Sequence, residues 1–289
     1  MKRKIFGFGL VLLLFGAGLV FSQTAFDYLR QSIDNVLGFT TIESNAIDYE
    51  YFDSGALWGC YLDPNQSLSV SLPLKSGVRY KIYSGADEEQ RVAATLKDSR
   101  GRTLDGDDDD EGTPIIIYTP NADAIYTFTL TNKSRVDLFI ATIVTQYKRD
   151  AHFSNDALAE ALDNLLSIAE ETFEGGDVSF VESQWILFGG NLKDGDETGV
   201  YNVNLQRGEY CLIIAGEDSI RTLDTDVIRQ SALNVTTGSS IADKESFLNT
   251  IMVATFTVSG NNNYYYLKGR NVRSLRGQGF VMGFLFEVE

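Results

Sequence analysis

Polar and apolar residues alternate with a period of two along much of the chain. In "IYTFTLT", residues 125–131, Tyr126, Phe128 and Leu130 fall on one side and threonines on the other, the pattern of a half-buried strand. "SLSVSLPL", residues 67–74, has the same period. "DLFIATIVTQY", residues 137–147, is apolar on both sides, as a central strand would be, and "FVMGFLFEVE", residues 280–289, reads as a final strand. Two stretches break the period. Phe26, Leu29, Ile33, Val36 and Leu37 form one stripe at helical spacing. Leu158, Ala161, Leu162, Leu165, Leu166 and Ala169 form another, with "SND", residues 154–156, supplying N-cap chemistry and Gly175 and Gly176 the stop. Short strands separated by Gly and Asp turns predict antiparallel β-sandwich, with Pro73 and Pro120 at strand ends or edges.

The pattern occurs twice. "SIDNVL" at 32–37 matches "ALDNLL" at 161–166, Trp58 matches Trp185, and "LKSGVRYKIYSGAD" at 74–87 matches "LQRGEYCLIIAGED" at 205–218. Anchors in the same order at nearly constant spacing predict two tandem copies of one unit. The expected fold is mostly β: two tandem antiparallel jelly-roll-like sandwiches, each preceded by a short α-helix. The expected division is a signal peptide over 1–22, the first helix and sandwich over 23–150, and the second over 151–289.

The amino terminus has the layout of a secretory signal: Lys2, Arg3 and Lys4, then seventeen uncharged apolar residues, then a cut after Ser22. A retained anchor is the alternative, but four glycines weaken that segment as a membrane helix. The expected location is therefore periplasmic or extracellular, in a bacterium, with no membrane insertion after cleavage. The net charge is −16, and cleavage makes it more negative by removing the three basic residues. Such a surface disfavours nucleic acid, whose binding relies on clustered Lys and Arg. The one basic run, with Arg270, Arg273 and Arg276, reads as a solvated loop. Cys60 and Cys211 lie in apolar strand contexts in different copies, which favours buried thiols over a bridge.

"TLDGDDDDEG", residues 103–112, holds six acids in seven positions and reads as a loop between strands. Asp105, Asp107, Asp109 and Asp110 are the candidate ligands of a weak, optional Ca2+ site, the only cofactor suggested. An EF-hand is excluded, because Asp110 and Ile116 stand where Gly and Glu are needed. The alternative is a solvated charge run that keeps edge strands from pairing with neighbours. In the second copy the loop following "TLDTDV", "NVTTGSSIADKES", lacks the run, so the fold does not require these acids.

The stretch from 70 to 110 resembles the bacterial pre-peptidase C-terminal domain, a small sandwich appended to exported proteins. "LKSGVRYKI" (74–82), "LKDSRGRTL" (96–104) and "IIYTPNADAIYTFTL" (116–130) stand in the places of that family's motifs. The resemblance covers 55–147 and, more loosely, 183–289. It implies a domain without catalytic activity that binds carbohydrate or protein or assists export. The first copy departs from it, with "VAATL" where family members carry alternating aspartates, while the second keeps Asp224 and Asp226.

Catalysis is not expected. The only histidine is His152, beside the second helix, and no nucleophile motif or zinc set accompanies it. A carboxylate-pair hydrolase is the remaining enzymatic reading. The expected role is a non-catalytic binding module for carbohydrate or protein at the cell envelope; a structural envelope or surface-assembly component is the alternative. "NNNYYYLKG" offers Tyr264, Tyr265 and Tyr266 as candidate ligand-binding residues, since alternation turns at least one away from the core.

Overall fold

The computed structural model describes residues 26–40, 48–53, 55–151, 154–172, 178–230, 238–245, 250–260 and 263–288. The expected signal segment, His152, Gly175 and Gly176 lie outside them. A helix over 26–40 (α1) precedes nine strands: β1 (Tyr49–Tyr51), β2 (Leu57–Leu62), β3 (Ser67–Leu74), β4 (Tyr80–Ala86), β5 (Val92–Lys97), β6 (Thr103–Asp109), β7 (Ile115–Tyr118), β8 (Ala124–Asn132) and β9 (Leu138–Tyr147). A second helix, α2 (Asp156–Thr172), precedes nine more: β10 (Val178–Phe180), β11 (Trp185–Lys193), β12 (Glu197–Leu205), β13 (Gly208–Gly216), β14 (Ile220–Gln230), β15 (Gly238–Glu245), β16 (Ile251–Val258), β17 (Asn263–Ser274) and β18 (Gln278–Val288).

Both halves follow the same path. Each puts a four-stranded sheet, β3–β8–β5–β6 or β12–β17–β14–β15, over one half of a larger sheet. That larger sheet has ten strands, in the order β16–β13–β18–β11–β2–β9–β4–β7, with β1 beside β9 and β10 beside β18. The fold is thus mostly β and antiparallel, as the alternation predicts, but the two sandwiches are not beads on a string. They are fused edge to edge where β2 pairs with β11, Trp185 opposite Cys60 and Phe188 opposite Trp58. Gly59 allows this approach, since a Cβ there would sit 2.9 Å from the Leu187 side chain.

The helices bury the stripes read from the sequence. Leu29, Ile33 and Val36 of α1 and Leu158, Ala161 and Leu165 of α2 have no exposed surface. Each helix is pinned to its strand by the same asparagine: Asn35 donates to the Ala86 carbonyl and Asn164 to that of Gly216. The helices also join the halves. Arg30 pairs with Asp163, Asn155 at the start of α2 donates to Thr40, and Phe26 packs edge-on against Phe286 of β18. Cys60 and Cys211 are both buried, in different halves, and are not bridged to one another.

Two stretches read wholly as loops are strands, and a third, the basic run, puts Arg270 and Arg273 within β17 and only Arg276 in the turn after it. The acidic run forms most of β6, and "GSSIADKE" forms β15; each is an edge of its four-stranded sheet. The reason for the misreading is local. Asp105, Asp107 and Asp109 lie opposite the buried Leu96, Ala94 and Val92, so carboxylates occupy the inward positions where a strand ordinarily shows apolar residues.

Candidate functional site

The two four-stranded sheets turn different chemistry outward. In the first half the outward positions of β3 are Ser67, Ser69 and Ser71, paired with Thr131, Thr129 and Thr127 of β8. Ser67 bonds Thr131 at 2.9 Å and Ser69 bonds Thr129 at 2.8 Å, giving a flat face of short hydroxyls. In the second half the equivalent face is built on tyrosines and charges.

The difference begins with one inserted residue. In the first half β3 runs in regular register with β8. In β12, Val200 pairs with Leu267 and Val203 with Tyr265, so Tyr201 and Asn202 together face Tyr266. This is a β-bulge, which re-aims a side chain at the cost of an irregular ladder. Asn202 takes a left-handed φ of 59°, tolerable for asparagine, and its amide donates to the Gln230 side chain at 2.9 Å. Val200 and Val203 remain in the core while Tyr201 is thrown outward.

Tyr201 lands flat on Tyr266, the ring centroids 4.0 Å apart and the planes 9° from parallel. Tyr266 is buried, and its hydroxyl donates to Glu197 at 3.0 Å. Burial, followed by the neighbouring Tyr201 and Glu197 groups, pushes the Tyr266 phenol far above its ordinary pKa, so it stays a donor. Tyr201 keeps 44% of its surface exposed. The result is an aromatic plate with one face backed and fixed and the other open. Beside it, Lys268 lies 3.4 Å from Glu197 and directly across from Asp226, which accepts from Ser240. One step further, Arg270 lies between Glu197 and Asp224, and its Nε donates to the Gly195 carbonyl.

Of the three tyrosines singled out in the sequence, only Tyr264 is partly open. Tyr265 points into the core near Phe256, and Tyr266 serves as the backing of the plate. Tyr201, the most exposed member of the group, was not marked by the run of tyrosines. Its signal was subtler: "VYNV" places two residues between inward valines where strict alternation allows one.

The acidic candidates do not converge. Asp105 accepts from the Gly106 amide, Asp107 from Ile115 and Asp109 from Glu111. Asp108, on the other face, takes a two-pronged bond from Arg91, whose Nε also lies 3.4 Å from Asp110. That pairing, led by the hydrogen bond, holds the Asp108 carboxyl below the usual range. Among the described residues, no group of three or more His, Cys, Asp or Glu side chains is placed to hold a metal ion, and no helix is long and apolar enough to cross a membrane.

No family model and no curated protein matches this sequence. Solved structures resemble it only distantly. The CBM22-1–CBM22-2 tandem domain of Paenibacillus barcinonensis Xyn10C aligns over 76% of this chain and 81% of its own, at 9% identity and a TM-score of 0.24. The PBSX exported protein XepA aligns over 83% and 86%, at 10% identity and a TM-score of 0.26. The M60 catalytic domain with CBM51-1 and CBM51-2 from Clostridium perfringens ZmpB aligns over 80% of this chain but 34% of its own, at 9% identity and a TM-score of 0.25. A likeness this slight brings none of their activities to this chain.

Proposed function

We propose that this protein is an exported, non-catalytic binding module that takes carbohydrate on the outer face of the β12–β17–β14–β15 sheet, with Tyr201 as the stacking plate. One observation carries the reading: the bulge at Tyr201 and Asn202 is present in the second half and absent from the same strand of the first. The first half shows that the fold can be built without it. The irregular ladder and the left-handed asparagine therefore need another reason, and the aromatic plate they raise supplies one. Aromatic faces accept the apolar faces of sugar rings, and adjacent carboxylates accept hydroxyl donors that fix orientation. A structural role through sheet edges has less support. β6 turns carboxylates inward, and the Ser69 carbonyl of edge strand β3 is capped by the Trp185 indole at 2.9 Å.

The test is a glycan array followed by titration calorimetry on the full chain. Tyr201→Ala should cost about 2 kcal/mol of binding free energy, as the loss of a central aromatic anchor does, and Tyr201→Phe should bind as the parent does. Failure of the parent to bind any glycan would end this reading.

A further inference from the structure

We infer that the ligand of this face is an extended, uncharged glycan lying along β17 and held through internal units rather than chain ends; the inference rests on the reading of Tyr201 as a binding plate. The outward groups of β17 come at every second residue: Tyr264, Tyr266 beneath Tyr201, Lys268 and Arg270. Six residues of strand span roughly 20 Å, far longer than one sugar ring. The plate is not at the end of this row. Tyr264 lies to one side, opposite Asn204, and the Lys268 and Arg270 rows lie to the other. A ring stacked on Tyr201 therefore has protein groups before and after it, the arrangement that suits a unit within a chain.

Charge selects the class. Three carboxylates, Glu197, Asp224 and Asp226, face two cations along this row. Lys268 is already engaged by Glu197, and Arg270 by the Gly195 carbonyl. The surplus on the face is negative, and so is the whole chain at −16, which disfavours uronate or sulfated polymers. Glu197 and Asp226 still have room for hydroxyl donors. Glu197 accepts from Tyr266 and Lys268, and Asp226 from Ser240, whereas a carboxylate offers about four acceptor positions.

Calorimetry with cello-, xylo- and malto-oligosaccharides, from disaccharide to hexasaccharide, and with polygalacturonate tests this. For at least one neutral series the dissociation constant should fall about tenfold or more with length, a step of about 1.4 kcal/mol, and reduction of the chain end should leave it unchanged. Tyr264→Ala should flatten the length dependence, Tyr264→Phe should preserve it, and polygalacturonate should not bind. Tyr201-dependent binding that is equally tight for the shortest and longest members, that needs an intact chain end, or that prefers polygalacturonate would overturn the track while leaving the plate as a binding site. An absence of glycan binding altogether would remove the plate reading itself.

Discussion

Asp87 shows how one residue can set the pH response of this protein. It follows β4 directly and is buried, with one carboxylate oxygen lacking a hydrogen-bond partner. Burial outweighs the backbone amides that favour its ionised form and pushes its pKa up to about 7. An acid raised in the folded state is protonated there while the unfolded chain has already lost the proton. Its contribution to stability is therefore highest below the unfolded value near 4 and declines as the pH climbs to about 7. Asp87→Asn should stabilise the folded protein at pH 8 by on the order of a few kcal/mol, read as a higher melting temperature, and change it little at pH 4. An equal shift at both pH values would mean that ionisation is not the cause. The equivalent position in the second half, Glu217, is also buried but accepts from Ser219 at 2.6 Å, so the two halves solve the same burial differently.

At the scale of elements, β12 and β6 carry two departures that bear on function: a bulge that turns Tyr201 outward and a row of inward carboxylates. Deletion of Asn202 should return β12 to the unbulged register of β3, leaving a folded protein whose glycan binding is lost; circular dichroism and calorimetry together would show both. Retained binding would contradict the role given to the bulge. The β6 acids are each engaged by a separate amide or by Arg91, so Ca2+ at millimolar concentration should leave the melting midpoint where a chelator leaves it. A rise with Ca2+ would show that the run gathers around an ion. Asp107→Val would remove the acceptor of the Ile115 amide and the inward charge of an edge strand. The expected result is a loss of about 1 kcal/mol and a greater tendency to associate, measured by melting and light scattering.

At the scale of the molecule, the two halves share a sheet, a helix pair and aromatic contacts. Tyr51 meets Phe280 edge-on at 5.3 Å, and Phe26 meets Phe286. The halves should therefore unfold in one calorimetric transition, and a chain ending near residue 150 should be markedly less stable, because β2 would lose its β11 neighbour. Two well-separated transitions in the full chain would show that the seam contributes little.

The strands at 67–74, 125–131 and 137–147 and both helical stripes were legible because each side chain's fate there is set by its neighbours in sequence, through a period of two or of 3.6. The repeat was legible for the same reason: two copies of one pattern need no coordinates to be matched. The acidic edge strand escaped, because its inward positions hold carboxylates and the period alone cannot tell such a strand from a loop. Sequence alone thus determined the antiparallel β class, the helices and the doubling of the pattern. Only the tertiary structure decided that β2 and β11 join two sandwiches into one sheet, and that Tyr201 rather than Tyr265 meets solvent. The first depends on which backbone lies beside which across more than a hundred residues, and the second on a single extra residue whose effect appears only against the strand it pairs with.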